Sequence, residues 1–217
     1  MFLHHRTVQP RAPSRRLPLL VLLHGIGADE TDLLPLAASF DPRLLVVSVR
    51  APHALEPVGY AWYAIDWTAS PPRGDPAEMV ASRDLVARFV EETVATHGAD
   101  PSAVFLLGFS QGAVMSLSLL LARPELLRGV VAHSGQLARL PGQDPSPPAL
   151  SNTSVLLLHG ARDEVVPVDL ARKAHQVLAP LLGTRVALRV FEDLGHGTSA
   201  ESVSTAASWL AARLGDG

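Results

Sequence analysis

The sequence predicts an α/β fold with a mostly parallel central sheet and helices on both faces. Three observations point there. Short apolar runs rich in Leu and Val alternate with stretches of helical period along the whole chain. Those runs lack clean polar alternation, which is how strands buried on both faces read. The composition is globular, 47% hydrophobic and 18% charged over 217 residues, and suits a single domain spanning 1–217.

The elements follow in order. Residues 1–16 read as an N-terminal extension in which "TVQP" adds an antiparallel edge strand. Leu17–Leu23 is the first buried strand. The twin Arg before it mimics an export signal, but the apolar run is short and ends in His-Gly-Ile-Gly without a small-residue cleavage site, so a cytoplasmic location is expected. Leu44–Val49 is the next strand. Residues 50–76, with Pro, Gly and "GYAWYAIDW", break the alternation and read as a loop on the substrate side, since open α/β sheets bind ligands beyond the carboxyl ends of their strands. Val86, Phe89, Val90 and Val94 mark one face of a helix. Val104–Leu107 is a strand, and Val114, Leu117, Leu120 and Leu121 mark the helix after it. Strand Gly129–Ala132 leads into a Pro/Ser/Gln-rich loop, 136–153. Strand Val155–Leu158 is followed by a helix carrying Leu170, Ala174, Val177, Leu178 and Leu181, with Pro167 suited to its first turn. Strand Val186–Phe191 precedes a last helix, about Ser199 to Leu214.

Composition excludes several classes. A net charge of −3 gives no reason to expect nucleic acid or anionic lipid as a partner. The basic residues are almost all Arg and are scattered, not striped; Lys173 is the only lysine. No apolar run approaches the roughly 18 residues that span a membrane, so no stable membrane insertion is expected. Without cysteine there is no disulfide, no thiolate metal site and no Cys nucleophile.

The chemistry centres on "FLLGFSQGAV". Gly-Phe-Ser-Gln-Gly follows a strand and opens a helix, the setting of a nucleophile elbow. A tight turn would lift the Ser110 hydroxyl above the sheet edge, with Gly108 and Gly112 leaving room for strand and helix to approach. A serine hydroxyl needs a base. Of the later histidines, His133 and His159 end apolar strands and read as packed structural groups, and His175 lies inside a helix. His196, in the Gly-rich "EDLGHGTS" beyond a strand, is the candidate base. For the acid, Asp144 lies in a polar loop, Asp169 in a helix turn, and Asp193 is too near His196 in sequence to come from a separate strand end. Asp163 directly follows "SVLLLHGAR" at a strand's carboxyl end; Glu164 is the fallback. An oxyanion hole needs two aimed N–H groups. Gln111, after the serine, and Ile26, between Gly25 and Gly27 in "LLHGIGADETDLL", are placed to supply them.

The segments "LLHGIGADETDLLPLA", "GFSQGAVMSLSLLL", "HSGQL", "LLHGARDEVVPVDLARKA" and "GHGTS" resemble, in this order, the phospholipase/carboxylesterase family of α/β-hydrolases, which includes acyl-protein thioesterases and small bacterial carboxylesterases. The resemblance covers about residues 17–213. It implies an α/β-hydrolase fold without a large cap domain. It also implies Ser110 as nucleophile, Asp163 as acid, His196 as base, and Ile26 and Gln111 as oxyanion donors. Where thioesterase members carry Trp-Phe-Asp, this chain has "AWYAIDWTA", closer to the bacterial esterases.

The expected activity is hydrolysis of short- to medium-chain acyl esters through an acyl-enzyme, with lysophospholipase- or thioesterase-like side activities. No metal or cofactor is needed, the partner is a small-molecule ester, and the chain is a monomer or homodimer. Trp62, Tyr63, Ile65, Trp67 and Val166 are the candidate substrate-binding residues; the loop aromatics read equally well as buried on their own core. Two other functions use the same residues: a cofactor-free perhydrolase, and a ligand-binding protein on a hydrolase scaffold that does not turn over.

Overall fold

The computed structural model describes residues 3–69, 73–141, 143 and 147–214. Seven strands form one sheet: β1 His5–Val8, β2 Leu19–Leu23, β3 Leu45–Val49, β4 Val104–Phe109, β5 Gly129–His133, β6 Ser154–Gly160 and β7 Val186–Phe191. Their order is β1-β3-β2-β4-β5-β6-β7. Only β1 runs antiparallel to its neighbour, with His5 opposite Val49 and Val8 opposite Val46. All other pairs are parallel. The edge strand sits earlier than "TVQP" and stops short of Pro10, which has no N–H to give a ladder. β4 and β6 each run two residues past the apolar run that announces them, through Gly108–Phe109 and His159–Gly160. These extra residues carry the chain up to the functional loops.

Four helices cover the sheet: α1 Pro76–His97, α2 Gln111–Ala122, α3 Val168–Leu182 and α4 Ala200–Leu214. Side chains alternate along each strand, so the six parallel strands feed two cores. Leu19, Val21 and Leu23 pack with Val86, Phe89 and Val90 of α1, Met115 of α2 and Leu178 of α3. Leu20 and Leu22 pack on the other face with Phe105, with Ala206 and Leu210 of α4, and with Leu33, Ala37 and Phe40 around the 3-10 turn Leu34–Ser39. Burial on both faces explains why the strands read as continuous apolar runs.

Local chemistry sets the helix ends. Asp75 caps α1 by accepting from the N–H groups of Ala77 (2.9 Å) and Glu78 (3.0 Å), with Pro76 in the first turn. Before α4, Ser199 and Ser202 cap each other: the Ser199 N–H donates to Ser202 Oγ (2.9 Å) and the Ser202 N–H to Ser199 Oγ (3.1 Å). The 50–76 segment holds two short antiparallel ladders, His53–Ala54 with Tyr60–Ala61 and Ile65–Asp66 with Arg73–Gly74. Asp144, weighed above as an acid, lies outside the described residues. Among the described residues no helix is long and apolar enough to cross a membrane.

Candidate active site

Ser110 sits between the end of β4 and the start of α2 at φ 52, ψ −117, a left-handed conformation that costs a non-glycine residue about 1–3 kcal/mol. Two close approaches hold it there. A Cβ on Gly108 would lie 2.2 Å from the Gly112 carbonyl oxygen, and one on Gly112 would lie 1.9 Å from the Leu23 carbonyl oxygen. Only glycine lets β4, α2 and β2 meet this tightly. The Ser110 N–H donates to the His133 carbonyl (2.9 Å), tying the turn to β5.

The loops after β6 and β7 are laced together where they leave the sheet. The Ala161 N–H donates to the Phe191 carbonyl (2.9 Å) and the Arg162 N–H to the Leu194 carbonyl (3.0 Å). Asp163 and His196 follow directly. His196 Nε2 lies 3.1 Å from Ser110 Oγ, and His196 Nδ1 lies 2.8 Å from Asp163 Oδ2. The three residues, from three strand ends, therefore meet in one line. The Asp163 side chain is fully buried. Its Oδ1 accepts from the N–H groups of Val165 (3.0 Å) and Val166 (2.8 Å). Burial alone would raise the Asp163 pKa. The Val166 N–H and His196 outweigh it and hold the group below the usual carboxylate range.

His159 stands on the other side of the same carboxylate. Its Nε2 donates to the Val166 carbonyl (2.7 Å) and lies 3.3 Å from Asp163 Oδ2. Burial lowers its pKa, so it is a neutral donor bracing the turn that presents Asp163. His159 is a packed histidine, as the pattern "LLLHGA" suggests, and the fold adds a contact with the acid that this pattern does not show. The other candidates lie elsewhere. Asp193 is exposed and paired with Arg162 at 2.6 Å, Asp169 is exposed and paired with Arg172 at 2.7 Å, and Glu164 points to solvent. His175 is half-buried on α3.

His133 is buried against Phe109 (ring centroids 5.7 Å apart), and Phe109 in turn packs on His196 (5.1 Å). Its Nδ1 meets Ser134 Oγ at 3.0 Å, while its buried Nε2 has no partner among the described residues. Burial, with some repulsion from His159 and His196, lowers its pKa to about 4. The unfolded chain therefore takes up a proton near pH 6.5 that the folded chain refuses until about pH 4. Stability from this group is complete above pH 6.5 and drains away as pH falls through that window, by about 3 kcal/mol at most. His24 and His159, also lowered by burial, act in the same direction. The expected result is a melting temperature that drops between pH 7 and pH 4.5, with a shallower drop in His133→Phe. Equal slopes would show that His133 is not the group responsible.

The loop after β2 lies against the serine: a Cβ on Gly25 would sit 3.3 Å from Ser110 Cβ. His24, fully buried, shapes this loop by donating from Nδ1 to the Gly25 carbonyl (2.7 Å) while Nε2 accepts from the Ala51 N–H (3.0 Å). The Gly27 N–H goes to the Tyr60 carbonyl and the Ala28 N–H to the Gly25 carbonyl, so the Ile26 N–H takes no part in these turn bonds. Gln111 is the first residue of α2, and its N–H has no acceptor within the helix. The loop is tethered by buried Glu30, which accepts from Arg50 at 2.5 and 2.7 Å, while Arg50 also donates to Tyr60 Oη at 3.1 Å.

The substrate-side aromatics divide. Trp62 is fully buried and Tyr63 is 4% exposed, both within the core. Of the two readings left open for them, burial favours core packing over lining an open pocket. The Trp62 indole N–H donates to the His24 carbonyl (2.9 Å), and its own carbonyl accepts from Ser82 Oγ. Ile65 and Val166 are half-buried, and Trp67 is 63% exposed. A feature missed from sequence joins the two regions. The Gln111 side chain accepts from the Trp62 N–H (2.9 Å) and donates to the Tyr63 carbonyl (2.8 Å). It acts as a short stretch of ladder between the serine turn and the 62–63 segment. Among the described residues no group of three or more His, Cys, Asp or Glu could hold a metal ion.

A mostly parallel sheet flanked by helices, with these loops at its carboxyl edge, is the α/β-hydrolase architecture. The chain belongs to the phospholipase/carboxylesterase family, whose model matches residues 4–214. It is 32% identical to Esterase YpfH of Escherichia coli over 211 residues, covering 95% of this chain and 87% of that one. It is 26% identical to Acyl-protein thioesterase 1 of Eremothecium gossypii over 89% of this chain and 87% of that protein. A carboxylesterase from Mesorhizobium loti superposes with a TM-score of 0.81 at 28% identity, over 95% of this chain and 93% of the other.

Proposed function

We propose that this protein is a serine carboxylesterase that hydrolyses short- to medium-chain acyl esters through Ser110, His196 and Asp163. The observation that carries the reading is the position of His196, 3.1 Å from Ser110 Oγ on one side and 2.8 Å from Asp163 Oδ2 on the other. Geometry of this kind lets the imidazole take the hydroxyl proton while the carboxylate fixes its tautomer.

Ser110 Oγ attacks the ester carbonyl carbon as its proton passes to His196 Nε2. The carbonyl oxygen gains the negative charge and is met by the N–H groups of Ile26 and Gln111, each worth roughly 3 kcal/mol if it behaves as such donors do elsewhere. The N-terminus of α2 adds its positive dipole end. His196 then gives its proton to the departing alkoxide, leaving an acyl-Ser110. Water repeats the sequence: His196 takes its proton, the hydroxyl attacks, and Ser110 leaves with the proton returned. Asp163 remains ionised throughout and stabilises the imidazolium.

The short- to medium-chain reading takes Ile65, Trp67 and Val166 as the apolar groups that meet the acyl chain. Trp62 and Tyr63 are packed in the core, with their main chain held by Gln111 and Ser82, and so are closed to the acyl chain. Half-buried Ile65 and Val166 and exposed Trp67 offer an open apolar rim. A p-nitrophenyl ester series from acetate to palmitate tests this. Multiple turnovers with an optimum at short to medium chains are expected. An optimum at palmitate would overturn the size assignment, and binding without turnover would overturn the enzymatic reading.

A further inference from the structure

The opposite end of the sheet, where the parallel strands begin, carries a cavity of about 1250 Å³. It is ringed by residues that precede the parallel strands: Pro18 before β2, Ala103 before β4, Arg128 before β5 and Thr153 before β6. Ser110 lies at the far end of β4, a strand of six residues or about 20 Å. The cavity is therefore separate from the esterase site.

Its charge runs against that of the chain. The protein carries −3 overall, yet five arginines, Arg15, Arg16, Arg43, Arg128 and Arg213, line this cavity with only two carboxylates. Both carboxylates are already engaged. Asp100 accepts from the N–H and hydroxyl of Ser102 and pairs with Arg16 at 3.7 Å, and Glu125 pairs with Arg123. Arg43 is paired with Asp41. Arg128 and Arg213 are held by main-chain carbonyls instead. Arg128 donates to the Asn152 carbonyl (2.6 Å), and Arg213 donates to the Trp209 carbonyl (3.0 Å) with its guanidinium 3.9 Å from the Trp209 ring centroid. Arg213 Nε is buried with no partner among the described residues. Burial, and then the nearby Arg128 charge, lower the Arg213 pKa.

Among the described residues, neither Arg128 nor Arg213 is paired with a carboxylate. Their side chains are already ordered by carbonyl and ring contacts, so an incoming anion does not have to immobilise them. We propose that this cavity binds a small phosphate-bearing anion between Arg128 and Arg213. A tetrahedral oxyanion presents acceptors in several directions, which suits two guanidinium groups arriving from different elements, the start of β5 and the last turn of α4. Ser151 and Asn152 at the same rim add polar groups that can meet it.

Titration calorimetry with inorganic pyrophosphate at constant ionic strength tests the site. Saturable one-to-one binding is expected for the wild type. Arg128→Gln and Arg213→Gln each bind about tenfold more weakly or worse. Arg172→Gln, on α3, binds like the wild type, and all three variants keep wild-type ester hydrolysis. Arg128→Gln carries the test if loss of the Trp209 contact prevents Arg213→Gln from folding. No saturable heat, or binding unchanged in the soluble arginine variants, would overturn the site. Citrate binding as tightly as pyrophosphate would overturn its assignment to phosphate.

Discussion

Asp163→Asn is expected to lower kcat for p-nitrophenyl ester hydrolysis by about four orders of magnitude, with KM changed little. The size of the effect comes from a tautomer. In the wild type, Asp163 Oδ1 accepts two main-chain N–H groups, from Val165 and Val166, and Oδ2 faces His196 Nδ1. An asparagine has one oxygen. The two main-chain donors claim it, so its NH₂ faces His196. The imidazole can meet that donor only with an unprotonated Nδ1, which puts its proton on Nε2, aimed at Ser110 Oγ. The base is then occupied and cannot take the serine proton. Loss of the carboxylate also removes the charge that stabilises the imidazolium. His159 Nε2–H, 3.3 Å from Oδ2 in the wild type, keeps its bond to the Val166 carbonyl, so the turn itself should survive. Steady-state kinetics with circular dichroism would check this. A loss of less than about tenfold in a folded variant would mean that Asp163 does not set the tautomer.

Gly112→Ala is expected to cost about 3 kcal/mol of stability or more, which lowers the melting temperature of a chain this size by roughly 6–12 °C. The added methyl would meet main-chain atoms and not a flexible side chain: the Leu23 carbonyl oxygen at 1.9 Å and the His24 carbonyl oxygen at 2.7 Å. Rotamer changes cannot relieve that. Either α2 lifts off the sheet or the end of β2 moves, and β2 carries the Gly25–Ile26 loop beside Ser110. The folded fraction should therefore lose activity as well. Differential scanning calorimetry alongside the esterase assay would measure both. A melting temperature within about a degree of wild type would show that β2 and α2 are not packed as described.

The sheet was legible because its strands are buried on both faces, and continuous Leu/Val runs announce that burial. The serine turn was legible because close packing demanded glycine at 108 and 112. His196 and Asp163 were legible from their place just past a strand. What the residues did not announce depends on contacts between distant segments. Nothing in "GFSQG" says that the Gln111 side chain reaches the main chain of Trp62 and Tyr63. An aromatic cluster in a loop looks the same whether it lines a pocket or fills a core, which is why the pattern around Trp62 and Tyr63 allows both readings. His159 ends an apolar run as a packed histidine would, and only the fold brings it to Asp163. The arginines are scattered in sequence, yet the strand starts and the end of α4 gather five of them around one cavity.

The central claim is that a single serine, Ser110, carries the acyl group. Peptide mass spectrometry after reaction with diethyl p-nitrophenyl phosphate tests it most directly. Attack of Ser110 Oγ on phosphorus expels p-nitrophenolate and leaves a diethylphosphoryl group on the serine. The expected result is one adduct per chain, on the peptide containing Ser110, with esterase activity lost in step, and no adduct in Ser110→Ala. Activity that persists in the fully labelled protein, or inactivation with the label on another residue, would contradict the account.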